Sequence, residues 1–181
     1  IRLGDRVVTG LPSRAAEALL IYLVCTPRPV AREKLAELLW AERSPMQALT
    51  NLRTVLTALR RELGDYLIIT RQTLAFDHRR DYWLDVATFE QGCAALGLAR
   101  WARPEAVPIE QLQQVLDLYQ GDFLEGFYLR DGQGFEEWTT LQRERLRLLA
   151  REGLRLLTAQ QLNSGAYLEG SATAARWRQL D

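Results

Sequence analysis

Leu49, Leu52, Leu56, Leu59 and Leu63 step by three and four through "ALTNLRTVLTALRRELG", residues 48–64, and draw one apolar stripe along an α-helix. The other side carries Thr50, Asn51, Thr54, Thr57 and Arg61, with Arg53 and Arg60 at its edges, and no acid enters before Glu62. Ser44 can cap this helix, Pro45 suits its first position and Gly64 suits its end. Two further helices are predicted before it. "AAEALLIYLVC" is apolar enough to be buried on most sides, with Ser13 as cap and Arg14 as start, and "TPRPV" stops it because proline cannot continue a helix. "AREKLAELLW" follows, with Leu35, Leu38 and Leu39 inward, and "AERSP" breaks the chain before the third helix. At both ends of this block the helical spacing gives way. "IRLGDRVVTG" reads as a short strand pair around a Gly4-Asp5 turn, and "YLIIT", "RQ" and "TLAFD" read as a hairpin with Arg71 at its tip.

The predicted order is strand pair, three helices, hairpin. Two helices joined by a short break form a helix-turn-helix, and a hairpin straight after the second makes it a winged helix. In that fold the last helix enters the major groove of DNA and the hairpin lies along the backbone or minor groove. Arg, Asn and Thr supply groups that read base edges and phosphates, and carboxylates are missing where phosphate would repel them. Thr and Asn are poor helix formers, so a helix with purely structural duties has little reason to expose Thr50, Asn51, Thr54 and Thr57. Such a face can also cover a neighbouring domain. Arg71 can reach a narrow minor groove or a phosphate, the plain alternative being a solvated turn.

The second half is helical by pattern. "DVATFEQGCAALGL" is a short helix and "RWARPEAVP" a linker with two prolines. "IEQLQQVLDLYQG" places Ile109, Leu112, Leu116 and Tyr119 on one side, and "DFLEGFYLRDGQG" is turn-rich. Residues 135–165 form one long helical pattern of roughly 30 residues, and "AYLEGSATAARWRQLD" is a last helix that Gly170 makes less regular. Interleaved Glu144 and Glu152 make "QRERLRLLARE" a solvated helix face with local ion pairs rather than a basic patch. Tyr119, Phe123, Phe127, Tyr128, Phe135 and Trp138 read as core, and Tyr82, Trp83 and Phe89 as aromatics that pack the two halves into one rigid body.

Composition narrows the function classes. The 181 residues are 48% hydrophobic and 25% charged, which suits one large or two small domains with a buried core. No apolar run approaches the ~18–20 residues of a membrane span, and "IRLGDRVV" is no signal peptide, so a cytoplasmic protein is expected. Net charge is zero, and residues 1–90 (+2) differ too little from residues 91–181 (−2) to decide anything. Lys34 is the sole lysine, which a GC-rich genome explains as well as phosphate recognition does. Cys25 and Cys93 sit in apolar helical patterns and read as reduced core thiols. His78 is the only histidine, which leaves a zinc site or a catalytic triad without residues. Glu136 and Glu137 are adjacent on a helix, about 100° apart, and cannot flank one substrate. With no phosphate-binding glycine loop and no activated nucleophile, neither an enzyme nor a cofactor is expected.

"REKLAELLW", "NLRTVLTALRRELG" and "LIITRQTLAFD" in this order resemble the OmpR-type winged helix, and more closely the version in the SARP family of bacterial transcriptional activators. "DYWLDVATFE" resembles the join between winged helix and activator domain. "LYQGDFLEGF" with "FEEWTTLQRERLRLL" resembles the bacterial transcriptional activator domain. The resemblance covers nearly the whole chain. It implies a mainly α fold with small β hairpins: a winged helix over 1–84, then a tetratricopeptide-like helical domain over 85–181. It further implies binding of double-stranded DNA at promoter repeats and recruitment of RNA polymerase. Such repeats usually continue beyond the point reached at "RQLD", and the first residue is Ile, so further domains of a longer parent chain are expected. The DNA-contacting set is then Thr50, Asn51, Arg53, Thr54, Thr57, Arg60, Arg61 and Arg71. The competing class is a protein-interaction module in which winged helix and repeat helices dock onto other domains.

Overall fold

Two small antiparallel sheets, seven α-helices and one 3-10 turn (Gly64–Tyr66) account for the regular structure among the residues that the computed structural model describes, 2–98 and 107–180. The protein is mainly helical, as its pattern predicts. Most of the linker expected at residues 100–108 lies outside the described residues. The chain divides into two units: residues 1–84 with Gly126–Thr140, and Asp85–Glu125 with residues 141–181.

In the first unit β1 (Arg2–Leu3) and β2 (Arg6–Val7) form the expected strand pair. The other edge of β1 takes β6 (Tyr82–Trp83), in the register Arg2↔Trp83 and Leu3↔Tyr82. Helix α1 (Arg14–Val24) begins where Ser13 Oγ accepts the Ala16 N–H, and it is buried on most sides through Leu19, Leu20 and Leu23. The proline-rich stop after it contains a strand that the pattern did not reveal, β3 (Val30–Ala31), which pairs with β5 (Thr73–Phe76). With β4 (Leu67–Ile69) on its other side, β5 is the centre of the order β3-β5-β4. The predicted hairpin is therefore two strands of a three-stranded sheet.

Helix α2 (Arg32–Leu39) buries Leu35, Ala36 and Leu39, while Leu38 is only half-buried. Helix α3 (Pro45–Leu63) has the predicted punctuation: Ser44 Oγ accepts the Gln47 N–H, Pro45 opens the first turn, and Gly64 follows at φ 53°, a left-handed value that glycine tolerates. Its buried stripe is Ala48, Leu52, Leu56, Leu59 and Leu63. Leu49 is half-buried, so the stripe starts on the small residue one position earlier.

Residues 126–140 seal this unit with rings. Phe135 is wholly buried, its centroid 5.8 Å from Phe127 and 5.3 Å from Trp138, and Trp138 meets Tyr22 edge-on at 4.9 Å. Tyr128, expected in the core, is 68% exposed. Tyr82 packs on Phe76 and His78, whereas Trp83 is 41% exposed with the Arg2 guanidinium over its ring.

The second unit contains α4 (Asp85–Ala95), α5 (Ile109–Leu116), most of α6 (Gln133–Asn163) and α7 (Tyr167–Arg178). Close helix approach here depends on small residues. A Cβ on Gly92 would lie 2.5 Å from Val115, and one on Gly153 2.7 Å from Leu116. Gly170 is likewise buried against Leu162, so it joins α7 to α6 rather than breaking α7. Phe89 packs on Tyr119 at 5.7 Å.

The basic run of α6 does more than face water. Arg143 donates to the carbonyls of Phe123 and Leu124, and Arg147 pairs with Asp122 at 2.5 Å. Arg176 of α7 donates to the Leu116 carbonyl at 2.7 Å and to that of Tyr119 at 2.5 Å. Three arginines thus pin the irregular turn after α5. The Arg147 hydrogen bond holds the Asp122 carboxyl below the usual carboxylate range, and burial pushes the Tyr119 hydroxyl up to about 12. Local pairs of the expected kind do occur, as in Arg155–Glu152 at 2.7 Å. No described helix is long and apolar enough to cross a membrane.

Candidate nucleic-acid interface

The leucine stripe fixes which side of α3 is left over for contact. With Leu52, Leu56, Leu59 and Leu63 buried, the helical period turns Thr50, Arg53, Thr54, Thr57, Arg60 and Arg61 outward, and all six are exposed. Met46 joins them at 80% exposure. Asn51 differs, being half-buried in a recess of about 340 Å³ that Trp40, Arg43, Gln47 and Asp131 also line.

The threonines present an unusual chemical surface. Thr50, Thr54 and Thr57 donate their hydroxyls to the carbonyls of Met46, Thr50 and Arg53, at 2.9, 3.3 and 2.9 Å. These bonds to the preceding turn satisfy the hydroxyls within the helix, at the cost of a slight strain on it. They also commit the hydroxyl hydrogens, so each residue offers a partner a methyl group and oxygen lone pairs rather than a donor. Donation to an incoming acceptor is left to Asn51, Gln47 and the arginines.

Charge is graded along the helix. Arg53 stands in the middle of the exposed side. Arg60 and Arg61 lie in the last turn, where they also favour the negative end of the helix dipole. Arg61 contacts Glu62 at 3.3 Å, an exposed pair that neutralises it only in part. Upstream, Arg43 in the α2–α3 turn pairs with Asp131 at 2.6 Å. The sequence pattern does not reveal this contact, because 88 residues separate the partners. Arg43, Met46 and Gln47 belong to the same surface and were not among the expected site residues. Polar residues at 47, one turn before Asn51, and at 43, four residues earlier still, are the signal that could have found them.

The chain matches no protein-family model and no curated protein. What the surface can do therefore rests on its chemistry.

Arg71 is exposed in the turn that joins β4 to β5. Thr70 builds that turn: its Oγ1 accepts the Gln72 and Thr73 N–H groups at 3.2 and 2.8 Å, while its own N–H donates to the Thr73 carbonyl at 3.0 Å. A rigid turn presents its arginine at little entropic cost. Arg71→Ala is expected to lower affinity for every duplex sequence alike and to flatten the salt dependence by about one phosphate. Equal affinity of variant and parent at low and moderate salt would make Arg71 a solvated turn residue.

Among the described residues, no group of three or more His, Cys, Asp or Glu could hold a metal ion. Cys25 and Cys93 form no disulfide, and burial pushes the Cys93 thiol up to about 12, which keeps it protonated and unreactive near neutral pH.

Proposed function

We propose that the chain is a sequence-specific DNA-binding transcriptional activator of the SARP type. Its first part is a winged helix with α3 as recognition helix and the β4–β5 hairpin as wing. Its second part is a tetratricopeptide-like helical domain. The observation that carries this is the exposed side of α3: six Thr and Arg side chains with no acid before Glu62, on a firmly capped helix that leads into a hairpin tipped by arginine. The second part is supported by helix pairs brought close at Gly92, Gly153 and Gly170, the packing that helical repeats use.

On this reading the ligand is double-stranded DNA at promoter repeats, a partner is RNA polymerase, and the place of action is the cytoplasm. No catalysis and no cofactor are involved. A second reading, a protein-interaction module, is favoured by Tyr167 and Leu168, which are 69% and 86% exposed. Selection of bound sites from random duplex DNA, followed by a salt titration on the selected site, separates the two. DNA binding anchored on phosphates gives log affinity falling with log salt at a slope of about −0.9 per phosphate neutralised. A flat titration with no enriched sequence would reject the DNA-binding reading.

A further inference from the structure

The Arg43–Asp131 contact sits on the surface assigned above to DNA, and one of its members has the wrong charge for that role. Both residues line the recess that contains Gln47 and Asn51 of α3. Asp131 approaches Arg43 to 2.6 Å, and its side chain is 21% exposed against 51% for Arg43. A carboxylate at that distance cancels most of the field that Arg43 would offer to a phosphate, and it repels any phosphate that comes near.

The turn that holds the acid is closely determined. Leu129 is 5% exposed, and its N–H donates to Glu136 Oε1 at 2.9 Å. The Gly132 N–H closes on the Leu129 carbonyl at 3.2 Å, and a Cβ on Gly132 would collide with the Leu129 side chain. Between them Asp131 takes φ 64°, the left-handed region that non-glycine residues seldom enter, although Asp and Asn tolerate it best. A residue held there by its surroundings invites a functional question. Arg43 is tied in turn by its own N–H to the Trp40 carbonyl at 3.0 Å.

We propose that Asp131 tunes the affinity of the α3 surface: its carboxylate masks Arg43 from backbone phosphate, lowers affinity for DNA of any sequence, and leaves discrimination to the base-facing groups of α3. The proposal rests on the DNA-binding reading of α3. Indiscriminate phosphate contacts raise specific and non-specific binding together, so masking one weakens both by about the same factor and shortens every encounter with DNA. The stretch that supplies the acid lies far from α3 in sequence, so the later part of the chain adjusts the interface through one ion pair.

Asp131→Asn tests this directly, because asparagine keeps the turn conformation and loses the charge. On a random-sequence duplex the variant is expected to bind about fivefold tighter, with a salt slope steeper by about 0.9. On the site selected by the parent chain the gain should be of similar size, so the specificity ratio changes little. The double variant Arg43→Ala/Asp131→Asn should lose the gain. Glu42→Gln removes a neighbouring exposed acid that makes no ion pair with Arg43 and should tighten binding less than Asp131→Asn does. Circular dichroism of each variant checks that the fold is kept. Unchanged or weaker binding by folded Asp131→Asn overturns the proposal, as does a gain that survives without Arg43 or is matched by Glu42→Gln. Salt-dependent DNA binding that ignores Asp131→Asn leaves the role of α3 standing; a parent chain with no salt-dependent binding overturns that role and this proposal together.

Discussion

Changing Arg53, Arg60 and Arg61 together to alanine is expected to weaken binding to duplex DNA by about a hundredfold at moderate salt and to cut the salt slope by roughly 2.7, three phosphates' worth. All three side chains are exposed on α3, so their removal leaves no cavity. The cost to folding is small. Arg60 and Arg61 favour the helix C-terminus by about 0.3–1 kcal/mol each at most, and alanine recovers part of that through its helix propensity. Stability and DNA affinity should therefore separate. Salt titrations of parent and variant by fluorescence anisotropy, beside urea melts of both, read the two quantities independently. A folded triple variant with parental affinity would remove α3 from the interface.

How far the chain could be read in advance depended on the range of the interaction behind each feature. Helix α3 was legible almost to the residue because Ser44, Pro45, the leucine stripe and Gly64 are all local signals that agree. The long α6 was legible for the same reason, since its spacing persists over 31 residues. β3 and β6 were not. Each is two residues long, too short for a period, and exists because β5 or β1 offers an unpaired edge. Nor could the pattern show that residues 126–140 group with the first unit, since the ring contact of Trp138 with Tyr22 joins distant parts of the sequence. Tyr128 was assigned inward because aromatic residues usually are; nothing local distinguished it from Phe135.

The candidate site divides in the same way. Exposure of Thr50, Arg53, Thr54, Thr57, Arg60 and Arg61 followed from helical period alone. The half-burial of Asn51 did not, because Trp40 and Asp131 come from other elements. The arginines of α6 were read as a solvated row, since Glu144 and Glu152 lay at pairing distance along the helix. Arg143 instead found two backbone carbonyls of the turn after α5, acceptors that no side-chain pattern advertises.

Neighbouring residues on α3 offer the sharpest contrast of all. Leu56 is 6% exposed within the leucine stripe, and Thr57, next in the chain, is exposed. Leu56→Ala is expected to destabilise the first unit by about 2–5 kcal/mol, through lost burial and the cavity left among its neighbours. That is a large share of the total stability of a small domain, so the variant should unfold at much lower urea and lose DNA binding only as it unfolds. Thr57→Ala breaks the hydroxyl bond to the Arg53 carbonyl, at 2.9 Å. That bond is made within the helix it slightly strains, and alanine has the better propensity, so stability should shift by no more than about 0.5 kcal/mol. The effect on DNA runs the opposite way. The Thr57 methyl group and oxygen lone pairs are what a base edge would meet, a methyl group being the partner suited to thymine. Removing them should change the base preferred at one position of the selected site and leave the salt slope untouched, because no charge is lost. Urea melts and a repeated site selection measure both halves of the contrast. A Thr57→Ala variant that unfolds as readily as Leu56→Ala, or that selects an unaltered sequence, would mean that the outward side of α3 serves the fold and not DNA.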